Sequence, residues 1–332
     1  MQPRCTIINK PLSPCIYQRN NENKAIIPIE IIYTRPVVTI KVKATGKDVE
    51  TPWINLELYY GRGTVKIELP CTGWYKVRMK AFDEDENVVE EDFVENIGVG
   101  EIFITGGQSN SLNFGEVLTE SDDNRVLSWN TQINQWIKCK DPQPCEIGPE
   151  VDMGNGGSIW PTLGSALAKE LDMPIGFLAT GWGGVGIKEF GEGTIKYERI
   201  INALNTIKEN GARAVLWHQG ETDAVNKTTR EEYEVLLKSL IYRSRRDTGL
   251  NIPWVIANAS YHPKAENIDK KAILEAQRNC CNDKDVLLGP NTDNILGDNR
   301  INNSAHFNLK GLKAHGISWF EILVKYFFAN RE

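Results

Sequence analysis

Four short polar clusters carry the residues able to do chemistry. The first is Gly106-Gly-Gln-Ser-Asn110, directly after the apolar run Ile102-Phe-Ile104. A serine at the carboxyl end of a buried parallel strand sits where open α/β sheets hold their ligands. The glycines permit a sharp turn and leave room around the Ser109 hydroxyl. A helix opening here would offer free amides to an oxyanion. Alone, the segment also reads as a Gly-Ser turn with a serine cap. The second cluster, Thr180-Gly-Trp-Gly-Gly-Val-Gly186, has four glycines in seven residues. Its amides can approach a substrate closely, and a tight turn needing positive φ is the plain alternative. The third is Trp217-His-Gln-Gly-Glu-Thr-Asp223, again ending an apolar run. Gln219 can donate two N–H bonds to an oxyanion, and Glu221 can orient a histidine; each alone also reads as a solvated loop side chain. The fourth, Asn302-Asn-Ser-Ala-His-Phe-Asn-Leu-Lys-Gly311, puts His306 just before the last amphipathic segment. A serine nucleophile needs one histidine within hydrogen-bond reach. His218 is turned away from Gln219 by strand alternation, His262 follows a core strand, and His315 lies inside the final helix. These three read as structural, which leaves His306 as the base of an acyl transfer.

These clusters need a scaffold, and the chain from Gly98 onward supplies one. Short apolar runs at Ile102–Ile104, Ile175–Ala179, Ala214–Trp217, Trp254–Ala257 and Val286–Leu288 read as buried parallel strands. Amphipathic segments alternate with them. Pro161 fits a first helical position ahead of Leu163, Ala166, Leu167 and Leu171. Ile195–Lys208 carries Ile200, Ile201, Leu204 and Ile207 on one face. Thr229 and Glu232 form a capping box before Tyr233 and Leu236, and Glu266–Asn279 and Leu309–Phe328 supply two more helices. The alternation predicts an α/β fold of three layers, αβα, around a parallel sheet.

Residues 1–97 read differently. Pro36–Ala44, Trp53–Tyr60, Thr64–Leu69, Trp74–Ala81 and Asn87–Val94 are short alternating runs broken by Gly and Asp turns. They predict a small N-terminal β-sandwich. We therefore expect two domains, 1–97 and 98–332, as the length of 332 residues suggests.

Composition narrows the function. A formal net charge of −6, with no Lys/Arg-rich run, argues against a nucleic-acid partner. No apolar stretch approaches the ~20 residues of a membrane span, and Met1–Lys10 lacks the apolar core of a signal peptide. The compartment stays open between an extracellular or periplasmic site and a virion-associated one, and so does the oligomeric state. Four histidines without metal-ligand spacing give no reason to expect a metal, and no cofactor is implied. Seven cysteines occur without a C-x-x-C motif. Buried thiols are the simpler reading, and a bridge between Cys139 and Cys145 is the alternative.

Taken together, Gly-Gln-Ser-Asn, the Gly-Trp-Gly-Gly loop, Trp-His-Gln-Gly-Glu and a late His-Phe before a helix resemble the SGNH/GDSL hydrolase superfamily. Within it they are similar to the sialate O-acetylesterase and acetylxylan esterase branch, carbohydrate esterase family 6. The resemblance covers residues ~97–330 and implies a flavodoxin-like SGNH fold often preceded by a small β-sandwich. It implies Ser109 as nucleophile and His306 as base. The oxyanion hole would be the Ser109 amide, the amide of Gly183 or Gly184, and the Gln219 side chain. The substrate would be an acetylated glycan such as one bearing sialic acid or xylan. In one respect the chain departs from the pattern: the aspartate expected three residues before the histidine is Asn303. An amide can accept a hydrogen bond from the imidazole but cannot balance its charge. Glu221 could supply the carboxylate, as could Asp298 or Asp293 if the loop folds back. Otherwise the domain would be a weakened or inactive glycan-binding, virion or surface structural protein. A lipid esterase is the third reading, disfavoured by the lack of a long apolar lid-like stretch. Trp160, Trp182 and Trp217, near the clusters, suit either sugar stacking or the core.

Overall fold

The computed structural model describes residues 6–145 and 152–329. Its strands are β1 (Thr6–Lys10), β2 (Cys15–Gln18), β3 (Lys24–Tyr33), β4 (Thr39–Thr45), β5 (Ile54–Asn55), β6 (Glu57–Tyr59), β7 (Arg62–Pro70), β8 (Gly73–Phe82), β9 (Val88–Gly107), β10 (Val126–Asn130), β11 (Gln135–Lys138), β12 (Ile175–Ala179), β13 (Ala214–His218), β14 (Trp254–Asn258) and β15 (Val286–Asn291). The helices are α1 (Trp160–Leu171), α2 (Ile195–Thr206), α3 (Glu221–Val225), α4 (Arg230–Thr248), α5 (Asn267–Cys280) and α6 (Leu309–Phe327).

The C-terminal part is the expected αβα arrangement. Strands run in the order β11-β10-β12-β9-β13-β14-β15, all parallel except the β10–β11 hairpin. Leaving β10 and β11 aside, the order by sequence is 2-1-3-4-5, the flavodoxin-like pattern. The strands are short and apolar because both faces are covered. Phe103, Phe177, Leu216 and Val255 point into the layer of α1 and α6. Ile102, Ile104, Leu178, Trp217 and Ile256 point into the layer of α2, α4 and α5. The chain direction reverses at β9, whose neighbours are β12 and β13. That switch point opens a crevice at the carboxyl ends of the strands, where such sheets bind ligands.

The N-terminal part holds the β1-β3-β7-β6 sheet and a second group formed by β2, β4, β5 and β8 around the first half of β9. Alternation aims Ile27, Ile29 and Ile31 of β3, Val42 of β4, and Val77 and Met79 of β8 into one buried cluster. The run Trp53–Tyr60, expected as one strand, is two. Leu56 is buried and its amide bonds to Ile40, so β5 pairs with β4 while β6 pairs with β7 in the other sheet. The expected boundary between residues 97 and 98 falls inside β9, a single strand of 20 residues. Strand β8 flanks its first half, and β12 and β13 flank its second. The apolar cluster around Ile97 and Val99 is continuous with that beneath β13 and α4.

Cys139 and Cys145 are both buried and are not bridged to each other; burial pushes the Cys139 thiol up to about 12. Cys5 lies outside the described residues. Among the described residues no group of three His, Cys, Asp or Glu is arranged to hold a metal. No helix among them is long and apolar enough to cross a membrane.

Candidate active site

Strand β9 ends at Gly107, whose φ of +120° brings it against β13. A Cβ there would lie 2.1 Å from the His218 carbonyl oxygen, so only glycine fits. The chain then enters a single 3-10 turn, Ser109–Ser111, closed by Ser111 Oγ on the Gln108 carbonyl at 2.7 Å. Across the crevice the loop before α6 carries His306. Its Nε2 lies 2.9 Å from Ser109 Oγ. Ser109 is buried and His306 half-buried, with the Phe114 ring 5.2 Å from the imidazole. Burial lowers the His306 pKa, against the raising influence of the Glu221 charge, so the ring is neutral at pH 7.

Two side chains hold this loop in place. Asn110 donates to Glu221 Oε1 at 2.7 Å and to the Ala305 carbonyl at 3.1 Å. It thus ties the nucleophile turn to the residue preceding the base. Arg300 is buried and donates to the carbonyls of Ile295 (2.7 Å), Thr292 (2.8 Å) and Ala305. Its guanidinium lies between Phe307 (3.8 Å) and Tyr261 (5.0 Å). Neither anchor was singled out in the sequence. Asn110 carried a signal in its place beside the serine, whereas Arg300 carried none.

The expected orienting groups lie elsewhere. Asn303 is exposed, in the left-handed region at φ 53°, and makes no hydrogen bond to His306. Asp298 is exposed, and only its carbonyl is engaged, by Asn308 at 2.8 Å. Asp293 is spent on Ser260 and Tyr261. Glu221 is buried but bonds to His218, through Oε1 at 3.0 Å, and its Oε2 has no partner. Burial pushes the Glu221 carboxyl up, but the His218 charge and the bonds from His218 and Asn110 outweigh it and hold the pKa at about 2.

Behind Glu221 the donors and acceptors can be assigned. Trp319 Nε1 can only donate, and it meets His315 Nε2 at 2.9 Å. That nitrogen is therefore an acceptor, and His218 Nδ1 lies 3.2 Å from it. His218 Nε2 faces the Glu221 carboxylate. His218 is thus buried between Glu221 and His315, with both ring nitrogens facing groups inside the protein.

The groups expected to form the oxyanion hole differ in their surroundings, and Gln219 does not fit that role. Gln219 is fully buried. Its Nε2 meets Asp223 Oδ2 at 2.5 Å, Val185 O at 3.2 Å and Gln108 Oε1 at 3.2 Å. Its Oε1 accepts from Tyr233 at 2.8 Å. With every polar atom engaged inside the protein, Gln219 braces the site and does not face the substrate. The Gly183 amide is likewise bonded, to the Asp152 carbonyl at 2.8 Å. Among the described residues, the Ser109 and Gly184 amides are tied to no acceptor in the chain. Gly184 has φ +67° and open space where a side chain would go. Trp160, Trp182 and Trp217 are all buried in the packing and cannot stack on a sugar.

Comparison with known proteins gives the family and the fold. The family model for carbohydrate esterase, sialic acid-specific acetylesterase, matches residues 99–323. A probable carbohydrate esterase of Arabidopsis thaliana is 28% identical over 176 residues, 46% of this chain; the match spans 65% of that relative's length. The crystal structure of the Arabidopsis protein superposes with a TM-score of 0.57 at 21% identity, over 68% of this chain and 98% of that one. A carbohydrate acetylesterase from Xanthomonas citri gives 0.58 at 15% identity, over 96% of this chain and 74% of that one. At these identities the superpositions speak for the fold alone.

Proposed function

Because the chain belongs to the carbohydrate esterase family of sialic acid-specific acetylesterases, we propose that it removes acetyl groups from a glycan through an acetyl-enzyme on Ser109. The observation that carries the reading is the 2.9 Å contact between Ser109 Oγ and a neutral His306. His306 Nε2 takes the hydroxyl proton as Oγ attacks the acetyl carbon. The charge that forms on the carbonyl oxygen is met by the amides of Ser109 and Gly184. As the intermediate collapses, the imidazolium returns the proton to the departing sugar oxygen. Water, deprotonated by the same nitrogen, then attacks the acetyl carbon; the bond to Ser109 Oγ breaks, the imidazolium returns its proton to Oγ, and acetate leaves. The Glu221 carboxylate, with one buried oxygen unpartnered, steadies the imidazolium across the low-dielectric site. Acetylated sialic acid and acetylated xylan are the substrates this reading favours.

One observation favours the second reading, a glycan-binding or surface structural protein of inherited fold. Among the described residues, no group hydrogen-bonds His306 Nδ1. Turnover of p-nitrophenyl acetate decides between them. Wild type should exceed Ser109→Ala by ~10³-fold or more in kcat. Equal rates in two folded proteins would remove the esterase reading.

A further inference from the structure

We infer that a cleft beside the glycine loop is a binding site for an uncharged pyranose unit of a glycan. The cleft, about 350 Å³, lies between the tip of the β10–β11 hairpin and α2. That is within the usual size range of small-ligand sites. Its floor is apolar and buried, made of Leu178 and Ala179 at the end of β12. Its walls carry Trp129, Gln132, Asn134 and Asn202.

The chemistry of this lining suits a sugar ring. A pyranose has an apolar C–H face and a rim of hydroxyls that donate and accept. An aromatic plate meets the first, and side-chain amides, each with two donors and an acceptor, meet the second. Trp129 is half-buried, packed edge-on against Trp136 at 5.5 Å, and so is held in place while part of its ring stays open. Gln132, Asn134 and Asn202 are exposed, and their side-chain amides are committed to no other group among the described residues. Among the described residues the lining holds no Asp or Glu, and its cation, Arg199, is buried and donates to the Gly181 carbonyl, so the exposed lining is uncharged. This is the accessible tryptophan that Trp160, Trp182 and Trp217 are not.

The cleft is also well placed. Ala179 pairs with Thr105 of β9, one strand across and four residues before Ser109. At ~3.3 Å per residue and ~4.8 Å per strand, the floor lies roughly 10–15 Å from the nucleophile. One oligosaccharide could span both. Arg199, also in the lining, donates to the Gly181 carbonyl at 2.8 Å, so the cleft shares a wall with the loop that presents Gly184.

This inference takes its ligand class from the proposed glycan substrate, and its test is separable from that proposal. Ser109→Ala protein, which cannot turn over, is titrated with cellobiose and, in parallel, xylobiose, with glycerol as control. The indole N–H signals of the nine tryptophans are followed by NMR, Trp129 being assigned by its loss in Trp129→Phe. Cellobiose or xylobiose should move the Trp129 signal while glycerol does not. Trp129→Ala and Asn202→Ala should weaken binding, the former about tenfold. In the Ser109 enzyme, Trp129→Ala should lower the ratio of kcat/KM on acetylated xylo-oligosaccharide to that on p-nitrophenyl acetate about tenfold. A Trp129 signal unmoved by either disaccharide, or affinity unchanged in folded Trp129→Ala, overturns the inference. Disaccharide binding at Trp129 in a protein without esterase activity would sink the proposed reaction and leave the cleft standing.

Discussion

At the scale of single residues, the unusual feature is that, among the described residues, no carboxylate bonds the second ring nitrogen of the histidine facing Ser109. A histidine base works only when neutral. Burial lowers the His306 pKa below its ordinary 6.5 while Glu221 raises it. Activity should therefore be full above pH 6.5 and fall on an acid limb centred below that value, read from kcat/KM on p-nitrophenyl acetate. Removing the Glu221 charge takes away a raising influence. Glu221→Gln should move the limb to lower pH and also lower kcat, by about 10²-fold, because the imidazolium loses its counter-charge. Asn303→Asp should leave kcat within about twofold, since residue 303 is exposed and makes no hydrogen bond to the ring. The opposite ranking, with Asn303→Asp activating and Glu221→Gln silent, would return the carboxylate role to position 303. The contact between Ser109 and His306 was legible in the sequence because few residue types form such a pair, and strand-end position selected among them. Gln219 was misread because a glutamine's donors look alike whether aimed at solvent, substrate or a buried aspartate. The acceptors that consume them, Asp223, Val185 and Gln108, are fixed only by tertiary packing.

At the scale of elements, the site is three strand ends brought together by sheet order: the serine turn after β9, the glycine loop after β12 and the Gln-Gly-Glu segment after β13. The loop before α6 must be added to them from the far edge of the molecule, and Asn110 and Arg300 do this. Asn110→Ala removes the bonds to Glu221 and Ala305 together. We expect kcat on p-nitrophenyl acetate to fall at least about tenfold with KM little changed, since a misplaced base affects the transition state more than binding. Asn110→Asp, which cannot donate and faces Glu221, should be no better; recovery of activity in that variant would show the side-chain volume, and not its donors, to matter. Apart from the five-residue α3, the helices were legible in sequence because each had a cap or periodicity of its own: Thr229 accepts from the Glu232 amide at the start of α4, and Pro161 opens α1. Strand β3 escaped notice because Pro28 interrupts an otherwise alternating run; Pro28 sits opposite Lys66 within the β3–β7 pairing. The β10–β11 hairpin, with its polar tip at Thr131–Asn134, gave no apolar alternation strong enough to mark it.

At the scale of the molecule, the change in pattern near Gly98 is real but does not separate two cores. It marks the point where β9 leaves one set of neighbours and enters another. Glu101 stands at that crossing, fully buried. It accepts from Arg19, from Gln18 at 2.8 Å, and from Arg213 at 2.7 and 3.0 Å. Gln18 and Arg19 belong to the N-terminal part and Arg213 leads into β13, so one carboxylate clamps both parts to the strand they share. Its removal would strand two guanidiniums, one of them buried to 5% exposure, without a counter-charge. Breaking a buried ion pair by deleting one partner costs ~3–5 kcal/mol. Glu101→Ala should therefore lower the unfolding free energy by about that amount in urea titrations, with p-nitrophenyl acetate turnover kept wherever the protein stays folded. Because the apolar cluster runs through both parts, near-UV and far-UV signals should still lose structure together in the variant. A first transition that unfolds residues 1–97 while esterase activity persists would show that the two parts fold independently, and that the clamp only joins finished domains.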